Sequence, residues 1–150
     1  MVEVREVQLR YGAVIGKIDL PDTPILSQID SGPIFYKKLE GELQEVFLVL
    51  MVNARNKSME LIEVSRGTLT QSLVHPREVF RAAIVSGACS IIIAHNHPSG
   101  ESGASGEDKE VTERLVKSGK LIGIKVLDHI IIADEKDPYS MLLEHRDLFE

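Results

Sequence analysis

A single cysteine, Cys89, is all the thiol this 150-residue chain carries, so no internal disulfide can form. It lies between Ala88 and Ser90, just before an apolar run, and reads as a buried free thiol suited to a reducing compartment. The same count excludes structural zinc sites built on several cysteines. No apolar run approaches the roughly 18–20 residues that a membrane helix needs. The N-terminal stretch Met1-Val2-Glu3-Val4-Arg5-Glu6 lacks the basic-then-apolar pattern of a signal peptide, so a soluble, cytoplasmic protein is expected. Excess positive charge is missing too. With 17 basic and 23 acidic residues the formal net charge is −6, which argues against a phosphate-binding surface across the whole chain. Arg66, Arg77 and Arg81 are close in sequence, but no aromatics cluster with them, and they read as a solvated face.

What is present suits one domain over residues 1–150, long enough for one sizeable core. Residues 3–11 alternate as a strand would. Thr23 and Pro24 could open a helix as N-cap and first position. Ser31-Gly32-Pro33 interrupts that stretch, with a second short helix expected over residues 34–39. Residues 46–52 form a continuous apolar run and read as a central strand covered on both faces. Residues 53–57 are a turn cluster, so a hairpin follows, with a returning strand over residues 58–66 ended by Gly67. Pro76 begins a helix through Val85, with Val79, Phe80, Ala83 and Ile84 as its apolar stripe and Gly87 as its stop. Residues 90–94 read as a second buried strand. A helix over residues 106–117, with Val111 and Leu115 inward and Gly119 ending it, is followed by a strand or strand pair over residues 121–133. There Ile122, Ile124, Val126, Ile130 and Ile132 are expected on one face, with Asp128 among them. A short helix near residues 139–143 closes the chain. Strands mixed with helices predict an α/β or α+β sheet with helices on both faces.

The chemistry gathers where the second buried strand runs into His95-Asn96-His97-Pro98. Histidines at i and i+2 of a strand share a face, and two neutral imidazoles at close range make a divalent-metal chelate. Pro98 stops further pairing and Gly100 lets the chain reverse. Asp108 follows eleven residues after His97, in the first turn of the next helix, where a carboxylate could reach the same ion. Two histidines and one aspartate leave Zn²⁺ a fourth position for water, the pattern of a catalytic site. Glu45, at the head of the central strand, is the candidate proton shuttle, and Ser105 the candidate hydroxyl for a developing oxyanion. Taken singly these features have plainer readings. A lone His-x-His is commonly surface polarity, Ser105-x-x-Asp108 alone is a helix capping box, and Glu45 alone is a charge flanking a strand. Their joint occurrence favours the site.

The spacing His95-x-His97-Pro98, six residues, Ser105-x-x-Asp108 resembles the motif of the JAB/MPN-plus (JAMM) metalloproteases. The fuller text resembles the bacterial RadC branch: Glu45-Val46-Phe47, Ser65-Arg66-Gly67, Val74-His75-Pro76-Arg77-Glu78-Val79, His95 to Gly100, and Val126-Leu127-Asp128-His129-Ile130. The resemblance runs from roughly Val2 to Leu148. It implies a three-layer JAB/MPN fold similar to the cytidine-deaminase arrangement. It further implies zinc on His95, His97 and Asp108, Glu45 as general acid/base, and Ser105 supporting the tetrahedral intermediate. Cleavage of peptide or isopeptide bonds would be the activity, in a branch that carries a DNA-repair label. Two departures stand out. Ala104 occupies the place before the motif serine where RadC proteins usually have proline, and these 150 residues are not expected to include the helix-hairpin-helix region that often precedes the domain. Direct DNA binding by this chain is therefore not expected.

His75 is well placed to begin a helix. Asp128 and His129 are expected as a buried structural pair, with a hydrogen bond to a metal ligand as the alternative. The expected function is a zinc-dependent hydrolase acting on a peptide or protein substrate, and a homo-oligomer is compatible with the sequence. The competing reading is a non-catalytic metal-binding or repair-associated interaction module. A zinc deaminase does not fit, because the His-x-Glu and Pro-Cys-x-x-Cys elements are missing.

Overall fold

The computed structural model describes residues 2–3, 17–69, 74–133 and 138–150. The strand expected over residues 3–11 lies, past Glu3, outside them. In chain order the elements are α1 (Gln28–Leu39), β1 (Val46–Val52), β2 (Ser58–Arg66), α2 (Pro76–Ser86), β3 (Ser90–Asn96), α3 (Gly106–Ile122), β4 (Lys125–Ile132), β5 (Tyr139–Ser140) and α4 (Met141–Glu144). A 3₁₀ turn, Arg146–Phe149, ends the chain. The strands form one mixed sheet in the order β2-β1-β3-β4-β5, in which only β3 and β4 run parallel. No helix among the described residues is long and apolar enough to cross a membrane.

Both β1 and β3 are buried at every position, as their unbroken apolar runs predict for strands covered twice. Alternation divides them between two cores. Leu48, Leu50, Val52, Ile92 and Ala94 pack under α1 with its Ile34, Phe35 and Leu39. Phe47, Val49, Met51, Ile91 and Ile93 pack under α2 and α3, against Val79, Phe80, Val111 and Leu115. The result is the three-layer mixed α/β architecture expected, with helices on both faces of the sheet.

Several local expectations are corrected. Helix α1 starts at Gln28, not Pro24, and is continuous to Leu39. Ser27 caps it: its hydroxyl accepts from Ile29 N–H, while Asp30 Oδ2 accepts from Ser27 N–H at 3.0 Å. Ile25 N–H is taken by the Asn56 carbonyl at 2.7 Å, which ties that residue to the hairpin turn instead. Pro33 sits inside the helix. Its missing N–H would have served the carbonyl of Ile29, an exposed residue, where water can substitute. Gly119 does not end α3, which runs on to Ile122 with Gly123 as its left-handed cap. A side chain at Gly119 would meet the Ile124 carbonyl and the Phe80 ring, so glycine serves close packing there. Ile84 and Cys89 are exposed rather than buried.

Residues 121–133 are a helix end and one strand, not a strand with a single apolar face. Ile91 pairs with Val126 but Ile92 with Asp128, so Leu127 is an extra residue, a bulge. The bulge reverses which face alternate residues occupy. Val126 packs under α2 and α3, whereas Ile130 and Ile132 pack under α1. Ile93 pairs with His129 and His95 with Ile131, which brings His129 to the face that carries His95.

Candidate metal centre

His95 is the next-to-last residue of β3, 1% exposed, on the α3 side of the sheet. The strand's pairing continues one step beyond its end, where His97 N–H donates to the Ile132 carbonyl at 2.8 Å. His97 thus stays in register and its ring lies 4.8 Å from that of His95. Gly100, at φ +78°, then turns the chain, and its N–H donates to the His97 carbonyl. Asp108 enters from the first turn of α3, capped by Ser105. Ser105 Oγ accepts from Asp108 N–H at 3.1 Å, and Asp108 Oδ2 accepts from Ser105 N–H at 2.8 Å.

The three expected ligands converge. Nε2 of His95 and Nε2 of His97 are 2.9 Å apart, and they stand 3.1 and 3.2 Å from Oδ1 and Oδ2 of Asp108. His97 Nδ1 donates to the Glu101 carbonyl at 2.9 Å, which leaves a neutral His97 with its Nε2 lone pair turned to the cluster. Two nitrogen donors and a carboxylate facing one point repel unless a cation lies between them. The donor set therefore fits a borderline divalent ion such as Zn²⁺. His95, His97 and Asp108 could bind a metal ion.

The electrostatics agree. Burial would raise the Asp108 pKa, but the proximity of His95 and His97, with the Ser105 N–H, outweighs this and holds the carboxyl well below the usual range. The hydrogen bond to Asp108 raises the pKa of His97 against the opposing effect of burial, and the negative charge of Glu45 raises it a little further.

Glu45 lies one residue before β1, and its Oε2 accepts from Leu69 N–H at 2.5 Å. It lines a cavity of about 350 Å³ with Leu43, Gly67, Thr68, Pro98 and Ser99, beside His97. A second cavity, of about 240 Å³, is lined by His97 and Pro98 and reaches Tyr36 and Ala133. Another cavity, of about 450 Å³, lies elsewhere, between the start of α1 and the start of β4.

Three contributors are not evident from motif spacing. Asn96 points away from the histidines, and its carboxamide works as a clamp. Its Oδ1 accepts from Val46 N–H at 2.7 Å and its Nδ2 donates to the Gln44 carbonyl at 2.9 Å, which fixes the segment bearing Glu45. His129 Nε2 lies 2.8 Å from His95 Nδ1, and Thr112 Oγ1 lies 2.6 Å from His129 Nδ1. The buried pair Asp128–His129 is thus split across the sheet. Asp128 accepts from Ser140 Oγ and Leu142 N–H, while His129 contacts His95, the alternative arrangement. Burial raises the Asp128 pKa and pushes that of His129 well down. The usable signals were a histidine within an apolar strand and a threonine one helical turn after Asp108. His75 caps α2, its Nδ1 accepting from Arg77 N–H.

Comparison with known proteins agrees with this geometry. Residues 25–147 match the family described as RadC-like JAB domain. A UPF0758 protein of Staphylococcus haemolyticus is 47% identical over 120 residues, which is 80% of this chain and 52% of that protein. One from Methanosarcina mazei is 44% identical over 117 residues, covering 78% and 51%. One from Trichlorobacter lovleyi is 48% identical over 100 residues, covering 67% and 44%. The chain spans about half the length of the curated relatives it matches. On the strength of the family match and of these identities, the chain belongs to the RadC-like JAB domain family.

Proposed function

We propose that this domain is a zinc-dependent hydrolase of the metallopeptidase type, cleaving an amide or isopeptide bond of a peptide or protein substrate with a metal-activated water. The observation that carries the proposal is the convergence of His95, His97 and Asp108 beside a cleft that holds the carboxylate of Glu45. Membership of the RadC-like JAB family supports a metal-associated hydrolase or a DNA-repair-related role. Zn²⁺ held by these three side chains would polarise a carbonyl and lower the pKa of a water to near 7.

The chain's own groups supply the rest. Leu69 N–H holds Glu45 Oε2, and among the described residues no hydrogen bond engages Oε1. Oε1 takes the proton of the attacking water and returns it to the leaving amine. Ser105 Oγ receives the Asp108 N–H, so its own O–H proton is free to donate to the oxyanion that develops at the carbonyl. The two clefts that share Leu43 and Pro98 in their walls would take an extended substrate.

The test is elemental analysis with a peptidase assay. About one zinc per chain, lost in His97→Ala, supports the site. Glu45→Gln should retain the zinc and lose turnover, typically by 10²-fold or more. Full activity in Glu45→Gln would sink the catalytic assignment. Stoichiometric zinc without cleavage of any amide substrate would favour a non-catalytic metal-binding module.

A further inference from the structure

We propose that Thr112 and His129 are positioning residues that lock His95 in the tautomer whose Nε2 is free for a metal, an inference that rests on the metal-site reading above. The direction of this relay of contacts is set at its far end, by a bond that cannot be reversed. Thr112 Oγ1 is 2.6 Å from the main-chain carbonyl oxygen of Asp108. Two oxygens this close need a proton between them, and a carbonyl has none to give, so the hydroxyl donates. Its proton used, Oγ1 can only accept from His129 Nδ1, also 2.6 Å away. His129 Nδ1 therefore carries a proton.

A neutral imidazole protonated on Nδ1 presents Nε2 as an acceptor, and Nδ1 is the protonated atom of His129. The nitrogen facing it at 2.8 Å, His95 Nδ1, must then be the donor. Only Nε2 of His95 is left without a proton, and it is the atom aimed at Asp108 and His97. Thr112 and His129 are 0% exposed and His95 is 1% exposed, so water cannot reach in and reverse a link. Neutral histidine free in water prefers its proton on Nε2, and this relay imposes the opposite choice. The relay begins and ends on one residue. The carbonyl of Asp108 sets its direction, and the carboxylate of Asp108 shares the resulting site with His95.

Replacing the hydroxyl would undo this. In Thr112→Val the His129 Nδ1–H loses its acceptor, and His129 is free to carry its proton on Nε2. His95 Nδ1 would then accept, and its own proton would move to Nε2, where it competes with the ion.

The experiment is a zinc titration against a competing chelator for wild type, Thr112→Val and Thr112→Ser, with thermal unfolding of each metal-free protein. Thr112→Val should bind zinc about 10–100-fold more weakly, and Thr112→Ser, which keeps the hydroxyl, should recover most of that loss. Equal affinity in Thr112→Val overturns the proposal while leaving the metal site standing. So does a loss that Thr112→Ser does not restore and that follows metal-free stability, because that is a packing effect. Nitrogen-15 NMR of the histidines in the metal-free wild type reads the relay without a variant. A proton on His129 Nδ1 is expected, and one on Nε2 overturns the relay. Failure of the wild type to bind zinc would instead overturn the metal reading.

Discussion

The two faces of the sheet are built from the same alternating strands and end differently. Under α1 the strands bury mainly hydrocarbon, Leu48, Leu50, Val52, Ile92, Ala94, Ile130 and Ile132, with Asn96 and Asp128 as buried polar exceptions. Under α2 and α3 hydrocarbon shares the interior with a polar cluster, in which His95 and His129 of the strands meet Asp108 and Thr112 of α3 beside Phe47. Burying such groups opposes folding unless each is paired. They are paired, mainly with one another, and the ring of Phe47 stacks on His95 and meets His129 edge-on. One face is arranged for stability. The other carries a polar cluster whose donors converge on a point a cation would fill.

Substitutions on the two faces should therefore separate stability from metal binding. The largest stability effect is expected on the α1 side. Leu50 is 0% exposed, and Leu50→Ala should lower the unfolding free energy by about 2–5 kcal/mol in urea titrations, with zinc stoichiometry unchanged. Loss of zinc in that variant would mean that the faces are not independent. A smaller effect is expected where the faces are joined. Asn96 lies on the α1 side, yet its carboxamide holds the segment that carries Glu45. Asn96→Ala leaves Val46 N–H and the Gln44 carbonyl without these partners and should destabilise by about 1–3 kcal/mol. Zinc should still bind, because no ligand is touched. Unchanged stability would show that water replaces the clamp.

The contrast between the faces was partly legible in the sequence. The runs at residues 46–52 and 90–94 announce doubly covered strands because burial on both sides leaves no polar alternation. His95, His97 and Asp108 were legible because a strand's period of two and a helix's first turn fix their directions. The bulge at Leu127 was not. An extra residue within an apolar stretch leaves the composition unchanged while reversing the face of every later residue in the strand, so His129 could not be assigned to the site. Gly119 misled for a related reason. Glycine marks a helix stop through backbone freedom and a close contact through small size, and only packing distinguishes the two. Asn96 and Thr112 act through partners distant in sequence or through backbone atoms, which motif spacing does not encode.

The smallest effect is electrostatic and confined to the polar face. In the metal-free protein His97 and His129 respond to pH with opposite sign. The folded pKa of His97 is raised above its reference of 6.5, so its contribution is fully present below pH 6.5 and is lost as pH rises through the folded value. The folded pKa of His129 is far below 6.5, so its contribution is present above pH 6.5 and is lost as pH falls and the unfolded chain takes up a proton. Together they produce a stability maximum near pH 6.5, with limbs no steeper than about 1.4 kcal/mol per pH unit. Asp128, whose pKa is raised by burial on the other face, also loses stability as pH rises above 3.8, so the test must cancel it. Subtracting the metal-free His97→Ala profile from that of the wild type does so. The difference should be level from about pH 5 to 6.5 and shrink above it, and a difference that does not vary with pH would mean that His97 holds no extra proton when the metal is absent. On the proposed metal reading, zinc would displace that proton, so chelator competition should show its affinity falling as pH drops through the same value. The α1 face has no histidine among its buried residues, and Leu50→Ala should lower stability without moving the maximum.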